Sequence, residues 1–450
     1  MLSTIASVIQ NTADALFMPW VVVVLLGSAI FLTLRTGIVQ VRRFNDARRA
    51  AFVRRGSGAT GTLTPFQAFM TALAASIGTG NIAGVATAIV SGGPGALFWI
   101  WVYGFVAAAT KFGEAVLGLK FRDRKNGVVL SGPMYYLRDG LGSPVLAWLF
   151  ALVAAVAALT TTPFTQPNSM ALVLNTVVGI PKVVSGIAIA VLTWLVIIGG
   201  IKSIGRAAEK LSPLKVGLYL FGGLIVIAFN VTRIPDVFAL IFREAFSMQA
   251  AAGGGLGILI AMRYGIARGI YANEAGYGTA AVAYGTAQSN QPVQQGLNAV
   301  IEVFIVSFVT STISALTILL TGAWQSGATS TAAVAQGFNS VMPLVGGYIV
   351  AFCTFLFGYT TLIGWAYYGE LFFEYILGRR IAVPYRWMYC LLIPFGAISR
   401  VEVVWAWGDL MNVLQVFPNL IGVIGLSGIV AKVARERLVS PDSSQSARSA

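Results

Sequence analysis

Residues 76–95 read SIGTGNIAGVATAIVSGGPG, with glycine at 78, 80, 84, 92, 93 and 95. The run lies inside an apolar stretch long enough to cross a membrane. Glycine in a helix interior costs about 1 kcal/mol against alanine, so a helix carrying Gly78, Gly80 and Asn81 around Thr79 is weak at that point. In hydrocarbon a broken backbone is tolerated only where it is buried in protein or lines a cavity. Broken helices near mid-membrane are where secondary transporters bind substrates and ions.

The composition agrees with a membrane setting. Of the 450 residues, 57% are hydrophobic and 10% charged, and the mean hydropathy is +0.80. Soluble domains carry about 25% charged residues. The 50 glycines suit helices that approach closely. The net charge of +14 does not imply nucleic acid, because the basic residues sit in short loops between apolar spans. Cys353 and Cys390 lie within apolar spans and make no disulfide framework. The chain has no histidine, which removes the commonest general base and zinc ligand. With no nucleophile–base pair at depth, an enzyme is not expected. The first apolar run, 16–34, exceeds a signal-peptide core and reads as a retained helix.

Eleven spans are expected, at 16–34, 66–91, 96–119, 144–174, 183–201, 213–230, 246–271, 296–321, 343–368, 387–404 and 410–431. Basic clusters at 35–55, 120–138, 202–215, 379–386 and 432–437 then fall on one side. That side is cytoplasmic by the positive-inside rule, with the N-terminus outside and the C-terminus inside. Setting the first helix aside leaves ten. Five and five have opposite topology, the layout of an inverted repeat. The expected units are an N-terminal helix and basic loop (1–64), two five-helix repeats (65–230 and 231–431) and a polar tail (432–450). The last part of that tail, from 439, is Ser-rich and expected to be disordered.

Breaking the second span at Gly78–Gly80 frees carbonyls suited to a hard cation and amides suited to a carboxylate. Thr79 and Asn81 add side-chain oxygens. On spacing alone, Gly80 and Gly84 serve equally well as a close-packing face. The fourth span holds Thr160, Thr161, Thr162, Gln166, Asn168 and Ser169 around Pro163 and Pro167. Gln166 is a candidate for the substrate amine or carboxylate; the alternative is a Pro-kinked helix satisfied by its own polar side chains. The seventh span has two candidate breaks. The run Ala252-Gly253-Gly254-Gly255 is the richer breaker and leaves Arg263 and Arg268 near the cytoplasmic face, so Gly254 and Gly255 are the preferred site residues. The stretch 273–278 then becomes a cytoplasmic turn, with Glu274 pairing Arg268 as a gate. Lys111 and Glu114 are spaced to pair on one helix. Glu302 and Glu370 read as interfacial.

The chain also resembles a known family. The resemblance rests on 76–89 and 92–101, on Ala109-Thr110-Lys111-Phe112, Gly132-Pro133-Met134-Tyr135-Tyr136 and Gln166-Pro167-Asn168-Ser169. It continues through Arg263–Gly269, Asn273-Glu274-Ala275-Gly276-Tyr277-Gly278, Gly364–Glu370 and Pro418-Asn419-Leu420. In order and in coverage these are similar to the alanine or glycine:cation symporters. The resemblance implies a LeuT-type fold with one extra N-terminal helix in a bacterial cytoplasmic membrane. It implies sodium-coupled uptake of alanine or glycine, with no cofactor, no nucleic acid and no obligate protein partner. By the same resemblance Gly78, Thr79 and Gly80 meet the substrate carboxylate, with Asn81 beside them. Backbone oxygens near Ala74 and Ile77, with the hydroxyls of Thr360 and Thr361, face sodium, and Trp365 closes over the substrate. The chain departs from the family at Ala283-Tyr284-Gly285 and Asn290-Gln291-Pro292, where members have histidine, and at Val306, where members often have Asp. Proton coupling, or export of another small neutral amino acid, is the alternative.

Overall fold

The segment 65–92 folds as two helices, Pro65–Ser76 and Thr79–Gly92, bent by 60°. The first starts on a capping box: Thr64 accepts from the Gln67 N–H, Gln67 accepts from the Thr64 N–H, and Pro65 occupies the first turn. It stops at Ile77 (φ −80, ψ 81), and Gly78 runs extended. One 3-10 turn, Thr79–Asn81, follows before the helix resumes at Ala83. Gly78 is needed for a close approach rather than for its backbone angles. A Cβ there would lie 2.6 Å from the Thr361 hydroxyl and 3.0 Å from Gln166 Oε1.

This is a computed structural model, and it describes residues 20–53, 60–125, 128–248 and 257–438 together with Thr12. Among them six unbroken helices are long and apolar enough to cross a membrane: Ala96–Lys120, Pro144–Val178, Gly200–Phe229, Pro292–Thr321, Gly346–Leu377 and Arg379–Ile398. The bent pairs Pro65–Ser76 with Thr79–Gly92, and Val403–Gly425 with Ser427–Val433, raise this to eight. Val22–Arg35 and Lys182–Ile197 are apolar but shorter. The single hairpin among the described residues pairs Asp123–Lys125 with Val128–Leu130. The Ser-rich stretch from 439 lies outside the described residues.

Two sequence boundaries move. The helix expected from 213 begins at Gly200. Lys215, counted above with the cytoplasmic loop, is therefore inside a helix and fully buried. The tenth helix ends at Ile398, so Arg400 stands in the turn before the next helix rather than interrupting a span.

The second break also moves. Gly257–Asn273 ends at Asn273, and Thr279–Gly285 restarts after a five-residue gap. Glu274, Gly276 and Gly278 take positive φ of 57, 102 and 80°. The break is thus at 274–278, the site set aside in the sequence reading. Residues 252–255, including Gly254 and Gly255, lie outside the described residues.

Burial sorts the helices into an inner and an outer layer. In Gly346–Leu377, 83% of the most apolar window is buried, against 33% in Gly200–Phe229 and in Arg379–Ile398. The outer helices expose Leu195, Phe221, Phe229, Leu391 and Phe395, an apolar belt of the kind that faces lipid. The chain entering the first broken segment is stitched to the chain leaving the second: Thr62 and Leu63 donate to Thr286 O, and Gln288 donates to Leu63 O.

Candidate functional site

The two breaks face one another across a small cavity. Its walls include Ser76, Gly78 and Gly80 from the first break, and Glu274 and Tyr277 from the second. Thr161, Thr162 and Gln166 line it from the fourth span, Thr361 and Trp365 from the ninth. Ala75, Tyr271 and Asn412 complete the lining. Four of the eight expected substrate residues, Gly78, Gly80, Gln166 and Trp365, therefore meet in one place, with Thr79 bonded to Gln166 beside them. Gln166 Oε1 accepts from both the Thr79 N–H and the Thr79 hydroxyl, each at 3.0 Å. An acceptor oxygen thus already sits on the amide freed by the break. This geometry suits a carboxylate oxygen exchanging with Gln166.

Asn81 does not line the cavity. It spans the break instead: Nδ2 donates to Ser76 O at 3.0 Å, and Oδ1 accepts from Thr310 at 3.2 Å. Asn168 is likewise structural, since its Nδ2 donates to Gly396 O and Ser399 O.

Glu274 is the site residue that the sequence reading placed elsewhere. Its carboxylate accepts from Trp365 Nε1 at 2.6 Å and from the Thr279 hydroxyl at 2.8 Å. Neither of these partners is a cation, so a buried carboxyl group with no contacting positive charge stands on the cavity wall. Trp365 is fixed through that bond, tying the ninth span to the second break. The expected Arg268–Glu274 gate does not form. Arg268 pairs in bidentate fashion with Asp409 at 2.9 and 3.0 Å and lies over the Trp405 ring at 4.9 Å. Asp409 offers the fork geometry that Arg prefers. The pair closes the wall beside Tyr271, which donates to the Thr165 hydroxyl.

Ala74, Ile77, Thr360 and Thr361 also converge as expected, but the cation among them is Lys215. Its Nζ donates to Ala74 O at 3.1 Å, Ile77 O at 2.5 Å and Thr360 Oγ1 at 2.5 Å. The two threonines differ. Thr360 bonds back to Phe357 O in its own helix, whereas Thr361 crosses to Ala75 O at 2.8 Å and Ala74 O at 3.2 Å. A sodium ion about 3 Å from the ammonium would be repelled by roughly 5 kcal/mol at an effective dielectric of about 20.

Behind the cavity, charged groups bind the two breaks together. Lys111 and Glu114 do not pair with each other, and Glu302 is not interfacial. Lys111 pairs with Glu302 at 2.6 Å and donates to Asn273 O at 2.5 Å, at the end of the half-helix Gly257–Asn273. Glu302 also accepts from Ser76 and Tyr284. Glu114 accepts from the Gly276 and Gly278 N–H groups and from Asn419. Those amides open the half-helix Thr279–Gly285, where a carboxylate is favoured by the dipole. Glu370 lies apart from this group and pairs with Arg386.

The match to the sodium:alanine symporter family covers residues 2–445. The chain belongs to that family. It is 39% identical over 434 residues to the sodium/alanine symporter AgcS of Methanococcus maripaludis, covering 94% of this chain and 95% of the relative. It is 34% identical over 421 residues to the probable sodium/glutamine symporter GlnT of Bacillus subtilis, covering 93% and 87%. Among solved structures, MhsT in complex with L-phenylalanine superposes with a TM-score of 0.56 at 12% identity, covering 84% of this chain and 99% of that one. At that identity the likeness shows a shared LeuT-type fold. The protein is a multi-pass membrane transporter of a cation-coupled amino-acid symporter family, and not an enzyme.

Proposed function

We propose that the protein imports a small neutral amino acid, alanine or glycine, driven by sodium, across a bacterial cytoplasmic membrane. The observation that carries this reading is the pairing of unlike poles across one cavity. The Thr79 amide and hydroxyl face an acceptor on one wall. The Glu274 carboxylate, bonded by no cation, stands on the other. A zwitterion fits that polarity, its carboxylate at Gly78–Gly80 in exchange with Gln166 and its ammonium toward Glu274. Trp365, Tyr271 and Tyr277 leave little width for a side chain. Alanine is the amino acid named for the AgcS relative, and the family name carries sodium.

The cycle is alternating access: two five-helix units, 65–230 and 231–431 in opposite orientation, move about the paired breaks. Ligands drive it by binding the outward and inward states with different affinities. The N-terminus stands outside and the C-terminus inside.

Thermal unfolding of the purified protein with a panel of amino acids, each with and without sodium, tests this. Alanine or glycine is expected to raise the melting temperature most, and more so with sodium than with choline. Stabilisation by a large or charged amino acid alone would reject the substrate. If alanine stabilises equally without sodium and its uptake follows a pH gradient, proton-coupled transport replaces sodium-coupled import.

A further inference from the structure

We propose that Lys215 is a built-in cation that permanently fills the oxygen nest beside the first break, so that this nest contributes no sodium ion to transport. The side chain reaches in from Gly200–Phe229 and is fully buried. An ammonium has three N–H donors. Here they meet three acceptors: Ala74 O, Ile77 O and Thr360 Oγ1. Ala74 and Ile77 lie at the C-terminal end of the half-helix Pro65–Ser76, where the dipole and freed carbonyls call for a positive charge. The ammonium supplies what a bound ion would supply.

The ring of Phe357 lies 5.4 Å from the Lys215 ammonium. Of the helices packed against Gly200–Phe229, Pro65–Ser76, Ser311–Thr321 and Ser330–Val341 carry no ionisable side chain, whereas Gly346–Leu377 carries Glu370, paired with Arg386, and Glu374, and Lys182–Ile197 carries Lys182. Glu274 stands across the cavity, and Glu302 is already paired with Lys111. The first break is therefore organised before any ion arrives. Sodium, where it drives transport, acts from another position.

The proposal uses the sodium-symport reading only for its readout. Full-length protein is reconstituted in proteoliposomes, and the sodium gradient that just cancels net alanine movement gives the sodium ions moved per alanine. Lys215→Gln and Lys215→Met empty the nest of charge and are expected to add one sodium ion to that count. Lys215→Arg, which keeps a charge, adds none. For variants too weak to assay by flux, sodium-dependent thermal stabilisation in detergent is read against choline, with a gain expected for Gln and Met over wild type. Thr360→Val supplies a second arm. It is expected to weaken uptake without shifting the sodium half-saturation, because its hydroxyl serves the lysine. An unchanged sodium count and thermal response in folded Gln and Met variants would overturn the proposal. So would a large rise in sodium half-saturation in Thr360→Val. If wild-type uptake ignores sodium altogether, the sodium-symport reading falls, while a sodium response gained only by the Gln and Met variants still upholds the role of Lys215.

Discussion

Gly78→Ala isolates what the first break requires. Gly78 has φ −111, open to any residue, so the substitution carries no backbone strain. Its cost is steric. The new Cβ would lie 2.6 Å from Thr361 Oγ1, 3.0 Å from Gln166 Oε1 and 3.3 Å from Thr361 Cβ. All three contacts are to two side chains already committed, Gln166 to Thr79 and Thr361 to Ala75. Extra methyl groups in a packed interior cost about 1–3 kcal/mol. If that cost falls on the conformation that binds substrate, it weakens apparent alanine affinity roughly 5- to 150-fold. Gly84→Ala is the control from the same run. Its Cβ would meet Arg268 Cδ at 3.5 Å, an ordinary contact, within Ala83–Gly92. There alanine gains up to about 1 kcal/mol of helix propensity. The assays are alanine KM in proteoliposomes and thermal unfolding with and without alanine. Gly78→Ala is expected to lose affinity, and Gly84→Ala to retain it with equal or greater stability. Equal damage from both would show that glycine matters here as a packing face, and would refute the argument from the break.

Glu274→Gln removes the wall charge while keeping an acceptor for Trp365; alanine KM is expected to rise roughly 10- to 100-fold, the worth of a charged hydrogen bond, with stability little changed. Trp365→Phe removes the donor to Glu274 and is expected to raise KM less, read in the same uptake assay. Lys111→Met leaves Glu302 buried without its cation and is expected to cost about 3–5 kcal/mol by chemical or thermal unfolding. The double variant with Glu302→Leu should recover part of that loss. Arg268→Ala leaves Asp409 unpaired. The swap of Arg268→Asp with Asp409→Arg is expected to restore some uptake lost in either single variant, with a coupling of about 0.5–3 kcal/mol in the double-mutant cycle.

The first break was legible because its cause is local: two glycines flank Thr79 and Asn81 follows, and no helix passes through them cheaply. The break at 274–278 is harder to read because its cause is not local. The glycine run at 252–255 is the stronger breaker by composition. The observed break at 274–278 is held by Glu114, a partner 160 or more positions distant, on the freed amides of Gly276 and Gly278. Lys215 was read as a loop cation on the rule that basic residues avoid hydrocarbon. Its acceptors come from two other helices, which no spacing within its own segment could reveal. Arg268 shows the same limit. The sequence neighbour Glu274 was the nearest acid in the chain, whereas the partner in space is Asp409. Glu274 did leave one signal, its place in the Asn273–Gly278 motif, although that motif alone did not say which way the carboxylate faces.

The central claim is that the paired breaks carry a small neutral amino acid together with sodium. Radiolabelled alanine uptake into proteoliposomes under an imposed inward sodium gradient tests it most directly. Accumulation above the external concentration is expected, with collapse when sodium is replaced by choline and loss in Glu274→Gln at substrate levels below saturation of the wild type. Uptake that is indifferent to the sodium gradient, or undiminished in Glu274→Gln, would contradict it.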